Sequence, residues 1–171
     1  MQDHVILVDE HDNQIGTEEK IEAHRQAKLH RAFSIFIFNE QEQIMMQQRA
    51  FSKYHSGGLW TNTVCSHPRP GETTDAAAHR RLQEEMGFDC DLEEKFSFIY
   101  KVALDKGLSE HEFDHVFVGK YNDEPILNRE EAESFAWMSV PELKEDIKNH
   151  PEKYTEWLKI IFAQYLKKMN V

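Results

Sequence analysis

Two short stretches hold most of the groups that could do chemistry. "TNTVCSHPRPGE", residues 61–72, sets the thiol of Cys65 two residues from the imidazole of His67. By residue type alone Cys65 could be a small buried hydrophobe, half of a disulfide, a metal ligand or a reactive group. "SEHEFDHVF", residues 109–117, reads as a strand, and alternate residues of a strand share a face. Glu110 and Glu112 then point the same way, roughly 7 Å apart by the strand rise. Two carboxylates on one face suit a hard divalent cation, or a pair in which one carboxyl stays protonated. The plainer reading is an exposed strand end with mixed charges. His24, His30 and His67 could complete a site, and three imidazoles with two carboxylates favour a five- or six-coordinate cation over a closed tetrahedral zinc.

A third stretch, "RRLQEEMG" at residues 80–87, places Arg81 and Glu85 four residues apart on one helix face, with Glu84 beside them. Taken alone this is a solvated face laced with ion pairs. With Glu72 ahead of it, the spacing resembles the Nudix box, matched at Glu72, Arg80, Leu82, Glu84, Glu85 and Gly87. Two positions depart from that pattern. Ser66 stands where the box begins with glycine, and Arg81 replaces a glutamate. In Nudix hydrolases those glutamates hold cations that activate water against a diphosphate bond. An arginine there removes a ligand and supplies a phosphate partner, so the helix reads as built to hold a diphosphate rather than cut it.

The elements that must position these groups follow from pattern. "HVILVDE" reads as a first strand, ending in the turn "EHDNQIG"; "TEEKIEAHRQAKLH" is a helical turn or a connecting segment. "RAFSIFIFNE" and "EQIMMQQRA" form the strongest hairpin signal. Residues 73–86 form a helix, capped by Thr73 or Thr74, with Asp75 at its positive end and Gly87 stopping it. "KFSFIYKVAL" and "HEFDHVFVGKY" are two further strands around "DKGLSE", and "SFAWMSVPELKEDI" is a strand leading into a helix. From Pro151 a helical period carries an apolar stripe of Trp157, Ile160, Ile161 and Leu166. The order predicts an α+β sandwich, with helices covering a mixed sheet.

The 171 residues fit one domain, with 40% hydrophobic and 30% charged residues indicating a soluble globular chain. No apolar run approaches the roughly 20 residues that span a bilayer, and no signal peptide is evident, which predicts a cytoplasmic protein. Two cysteines favour free thiols, with Cys90 structural. A net charge of −11 argues against nucleic-acid binding but not against a small anion held by local cations and a metal.

"LHRAFSIFIFN", "WTNTVCSHP", the altered box and "EHEFDHVF", in that order, resemble type 1 isopentenyl diphosphate isomerase over nearly the whole chain. The resemblance implies a Nudix-like α/β/α sandwich with a mixed sheet, formed by residues 1–171 as one domain. Residues 1–30 would be an N-terminal segment carrying metal ligands, and 151–171 a C-terminal helix. It implies that His24, His30, His67, Glu110 and Glu112 hold a first divalent ion, Mn²⁺, Zn²⁺ or Mg²⁺. Glu85 and the backbone of Cys65 would help hold a Mg²⁺ bridged to the diphosphate. Lys20, Arg49, Lys53 and Arg81 would contact phosphate oxygens. Cys65 and Glu112 would be the catalytic pair, assisted by Tyr100: Glu112 as acid, and Cys65 as a base whose thiolate is favoured by neighbouring cations. Trp157, or else Trp60, would face a carbocation through its π cloud, against the alternative of a core tryptophan. The partner implied is a small isoprenyl diphosphate, bound by a monomer or weak homo-oligomer with no nucleic acid or membrane. The alternatives are a Nudix hydrolase of an organic diphosphate and a catalytically silent metal-dependent binding domain.

Overall fold

Residues 30–38, HRAFSIFIF, are apolar on both alternating faces, the pattern of a strand covered on both sides. In the computed structural model, which describes residues 3–169, they form the central strand β3 (His30–Phe38). Its partners among the described residues are β1 (His4–Val8), β4 (Gln43–Arg49), β6 (Val64–Ser66) and β8 (Ser109–Lys120). β8 runs parallel to β3 along its full length, from His30 opposite Glu112 to Phe38 opposite Lys120. β2 (Gln14–Glu19) pairs with β1, β7 (Leu92–Ala103) with β8, and both β5 (Trp60–Thr61) and β9 (Ala132–Ser139) with β4. The sheet is mixed, as expected.

Helices close both faces. Phe33, Ile35 and Ile37 pack against Ala77, Ala78, Leu82 and Met86 of α2 (Thr74–Met86). Phe36 and Phe38 face α3 (Val140–Asn149) and α4 (Glu156–Gln164) through Leu143, Leu158, Ile161 and Phe162. Each Leu, Ile, Phe or Met among them, when fully buried, contributes about 1.5–3 kcal/mol. The α/β/α sandwich is therefore present. Thr73 caps α2 by accepting from the Ala76 N–H, and Gly87 ends it in the left-handed region at φ 75°. A Cβ on Gly87 would stand 2.5 Å from the Ile126 carbonyl oxygen, so that turn admits only glycine.

Several expectations need correction. The segment after the first turn is a second strand, β2, followed by a six-residue helix, α1 (Lys20–Arg25), with Glu19 capping it. The β3–β4 hairpin holds together only at its turn, where Phe38 opposes Ile44; further on, β6 takes the edge of β3 that β4 leaves. The tail is not one helix. A 3₁₀ turn (Pro151–Lys153) precedes α4, separated from it by extended Tyr154 and Thr155, and another (Leu166–Met169) follows it beyond Tyr165, whose φ of −126° leaves the helical range. The first two residues of the expected N-terminal segment and the last two of the expected C-terminal helix lie outside the described residues.

Candidate active site

The parallel register of β3 and β8 sets His30 opposite Glu112. Glu110 lies two residues earlier on the same face of β8, as strand alternation predicts. β6 pairs Ser66 with Phe33, which delivers His67 just beyond it, and α1 brings His24 from the N-terminal side. One ligand atom from each of His24, His30, His67, Glu110 and Glu112 falls within 4.8 Å of the others. The five residues expected to share a metal do meet.

Their hydrogen bonds test the fit. His24 Nδ1 donates to the Lys20 carbonyl at 2.7 Å, and His30 Nδ1 to the Lys28 carbonyl at 2.9 Å. A neutral ring that has spent Nδ1–H in this way presents Nε2 as a lone pair. The Nε2 atoms of His24 and His30 face carboxylate oxygens, which are also acceptors: His24 to Glu110 Oε2 at 3.3 Å and His30 to Glu112 Oε2 at 3.2 Å, while His67 Nε2 lies 3.0 Å from that Glu112 oxygen and can donate to it when neutral. Acceptors converging on acceptors are satisfied by a metal ion between them, or by a proton on the ring. Both His24 Nε2 and Glu110 Oε2 are buried without a hydrogen-bond partner, a costly arrangement unless an ion completes it. The donor set fits a divalent metal.

Electrostatics of the ion-free cluster pull in two directions. Burial drives the His67 imidazole down to about 3, more than Glu112 can raise it, so this ring is neutral. Burial also disfavours charge on His24, but Glu110 and Glu112 outweigh it and raise its pKa. Burial opposes ionisation of Glu110, yet bonds from its neighbours hold it well below the usual carboxylate range.

The catalytic candidates lie beside this cluster. Tyr100 is opposite Glu112 across the β7–β8 pair, and its hydroxyl donates to Glu112 Oε1 at 2.5 Å. Cys65 and Glu112 line one cavity, together with Lys20, Arg49, Lys53, Arg69, Arg80, Arg81 and Trp157. Cys65 Sγ lies 3.1 Å from Asn62 Oδ1, to which it donates, and accepts from the Trp157 indole N–H at 2.9 Å. The expected thiolate is not found. Burial, followed by the charge of Asp114, pushes the Cys65 thiol up to about 12, and Arg49 compensates only partly.

All four expected phosphate contacts, Lys20, Arg49, Lys53 and Arg81, line the cavity. Arg49 is the most suggestive: its buried Nε has no hydrogen-bond partner. Lys53 pairs with Glu131. Arg81 pairs with Glu84 at 2.9 Å, Glu85 at 3.0 Å and Glu131 at 2.9 Å. Those carboxylates overcome its burial and raise its pKa. Glu85 is buried, with Oε2 on Arg81 and Oε1 3.3 Å from Gln47, so each oxygen already accepts a hydrogen bond and keeps a further lone pair for a cation. Trp157 is both core and cavity wall. Its ring centroid lies 5.3 Å from the Arg49 guanidinium, so that cation already occupies ring surface expected to meet a carbocation. Trp60 falls outside the cavity, on a groove beside α3.

The comparisons with known proteins agree with this geometry. The NUDIX domain model matches residues 28–158. An isopentenyl-diphosphate Delta-isomerase 2 of Aromatoleum aromaticum is 54% identical over 158 residues, covering 92% of this chain and 84% of that protein. An isopentenyl-diphosphate Delta-isomerase of Serratia proteamaculans is 53% identical, covering 92% and 88%. This chain belongs to the isopentenyl-diphosphate Delta-isomerase family, on a NUDIX domain. Among solved structures, a Deinococcus radiodurans protein superposes with a TM-score of 0.78 at 20% identity, over 95% of this chain and 99% of that one, which shows the fold alone.

Four residues of this isomerase-family site escaped sequence reasoning. His55 sits on the Glu110 carboxylate at 2.8 Å. Asn62 receives the Cys65 thiol. Asp114, buried and bonded to Ser34, continues the Glu110–Glu112 alternation by one step, so the same period-two rule reaches it. Glu131 collects Lys53 and Arg81 from 50 or more residues away in sequence, and no local pattern reveals it.

Proposed function

We propose that the protein interconverts isopentenyl and dimethylallyl diphosphate by a 1,3-allylic proton shift, in isoprenoid biosynthesis. The observation that carries this reading is the meeting of Cys65 and Glu112 on one cation-walled cavity. Protonating an unactivated double bond generates a tertiary carbocation, which demands a positioned acid, a base across the substrate and exclusion of water. In the forward direction the Glu112 carboxyl gives its proton to C4, the former π electrons forming the new C–H bond and leaving the charge on C3. Cys65 then takes a proton from C2 as a thiolate, and that C–H pair becomes the C2–C3 double bond. Turnover ends with Glu112 as carboxylate and Cys65 as thiol, and before the next forward turnover Cys65 returns its proton to solvent and Glu112 takes one up. Burial of Cys65 favours this end state, which is also the state that must receive dimethylallyl diphosphate for the back reaction.

Tyr100 orients Glu112 through its hydroxyl, and the Trp157 N–H fixes Sγ. Lys20, Arg49, Lys53 and Arg81 bind the diphosphate oxygens. His24, His30, His67, Glu110 and Glu112 would hold one divalent ion, Mn²⁺, Zn²⁺ or Mg²⁺, while Glu85 and the Cys65 backbone would face a Mg²⁺ accompanying the diphosphate. Such ions supply polarisation of the Glu112 carboxyl and neutralisation of phosphate charge. The reading takes residues 1–171 as one cytoplasmic domain that works as a monomer or weak homo-oligomer on a small molecule, without nucleic acid or membrane. No helix of the described residues is long and apolar enough to cross a membrane.

The test uses deuterated water, Mg²⁺ and isopentenyl diphosphate. Deuterium should enter the C4 methyl of the dimethylallyl product, because the acid's proton exchanges with solvent between turnovers. A chelator should stop exchange and isomerisation together. Release of phosphate or pyrophosphate at the rate of substrate loss, with no label in the carbon skeleton, would establish a hydrolase instead.

A further inference from the structure

A fourth histidine reaches the metal cluster without joining its inward-facing set. His55 lies in the loop between β4 and β5, 2% exposed, with Nε2 at 2.8 Å from Glu110 Oε1 and Nδ1 at 3.0 Å from Ser56 Oγ. A carboxylate oxygen can only accept, so Nε2 carries the proton and donates; Nδ1 is then the acceptor for the Ser56 hydroxyl. His24 and His30 show the reverse tautomer, with Nδ1–H spent on carbonyls and Nε2 bare. Glu110 is thereby divided. Oε1 takes the His55 proton, while Oε2, buried and without a hydrogen-bond partner, faces His24.

We infer that His55 is the positioning residue for the first metal site, holding Glu110 so that Oε2 alone is presented to the ion. This rests on the metal reading of the five-residue cluster. Two further contacts extend the role. The His55 carbonyl accepts from Arg49 Nη2 at 3.1 Å, and its ring meets the Trp157 ring edge-on at 5.8 Å between centroids. One residue therefore touches the metal-ligand carboxylate, a phosphate-facing arginine and the indole that holds Cys65. The loop is built to keep it there. Its amide neighbour Ser56 donates its backbone N–H to Asp105, and a Cβ on Gly57 would fall 2.6 Å from the Phe51 carbonyl oxygen.

The test is Mn²⁺ binding to the whole, metal-stripped protein, followed by loss of the free-ion spin-resonance signal, for the parent, His55→Phe and His55→Gln. Phenylalanine keeps a ring against Trp157 but cannot donate; glutamine can place an N–H near the Nε2 position. Removing such an outer partner typically weakens metal affinity by roughly 10–100-fold. His55→Phe should lose affinity in that range, and His55→Gln should recover to within about threefold of the parent. Equal affinity in the parent and His55→Phe would overturn the inference while leaving the metal site intact. So would a glutamine variant as weak as the phenylalanine one with an unchanged circular dichroism spectrum. If His55→Phe fails to fold, His55→Leu replaces it as the variant that cannot donate: a tenfold or greater loss restored in His55→Gln supports the role, and affinity equal to the parent overturns it. Absence of Mn²⁺ binding by the parent would remove the metal site, and this role with it.

Discussion

At the scale of single residues, Cys65 and Glu112 have different second duties, and substitutions should separate them. Cys65→Ser and Glu112→Gln should each abolish turnover with the fold intact, because a hydroxyl is a far weaker base than a thiolate and an amide cannot give the acidic proton. Only Glu112→Gln should also release metal, since Glu112 Oε2 faces His30 and His67 while Sγ faces Asn62 and Trp157. Turnover rates and metal content of the two proteins check both statements. His67 adds a pH dependence in the metal-free protein. Its folded pKa of about 3 lies below the usual 6.5, so between those values the unfolded chain binds a proton that the fold refuses. Stability must fall on acidification through that window, by up to about 1.4 kcal/mol per pH unit for one group. His24, whose pKa is raised, pulls the other way. Thermal midpoints at pH 7 and pH 5 should differ more for the parent than for His67→Asn.

At the scale of elements, α2 carries the altered box and depends on how it is ended. Gly87→Ala places a Cβ against Ile126 and forces a left-handed backbone that costs about 1–2 kcal/mol before any clash. The destabilisation should appear in denaturant midpoints, and it should exceed that of Thr73→Ala, which removes one cap bond worth about 1 kcal/mol. On the cavity side of the same helix, Arg81→Ala should raise KM at least tenfold, given about 1.5–3 kcal/mol for a charged hydrogen bond to phosphate. Cys90→Ala, half-buried beside the α2 core, should leave KM near the parent value. Equal, small effects in steady-state kinetics would take Arg81 away from the phosphate.

At the scale of the whole molecule, the metal cluster fastens α1, β3, β8 and the segment after β6 to one another, so ion binding and folding are linked. An ion held at a hundred times its Kd adds about 2.7 kcal/mol. For a chain of this length that corresponds to a rise in Tm of roughly 5–10 °C. Scanning calorimetry with and without a chelator should show it, and His24→Ala should remove most of the difference, because His24 is the ligand that α1 contributes.

Local pattern was enough for much of this protein. The apolar run of β3, the caps of α2 and the alternation of Glu110 and Glu112 are short-range consequences of side-chain type, and they were readable from neighbours in the chain. The five candidate ligands could be named through the family resemblance, since a lone histidine in a polar stretch such as "EAHRQAKLH" carries no mark of its own. What they would face could not. The parallel pairing of β3 with β8 joins His30 to Glu112 across 82 residues, and no local period encodes that register. Burial is likewise a property of the assembled fold. It turned the expected Cys65 thiolate into a thiol, neutralised His67 and tied Arg81 to three carboxylates before any phosphate arrives. His55 shows the division most clearly. In sequence it is one polar residue in a loop, and its function exists only where packing sets its N–H against Glu110, because a proton's direction is decided by the acceptors around the ring.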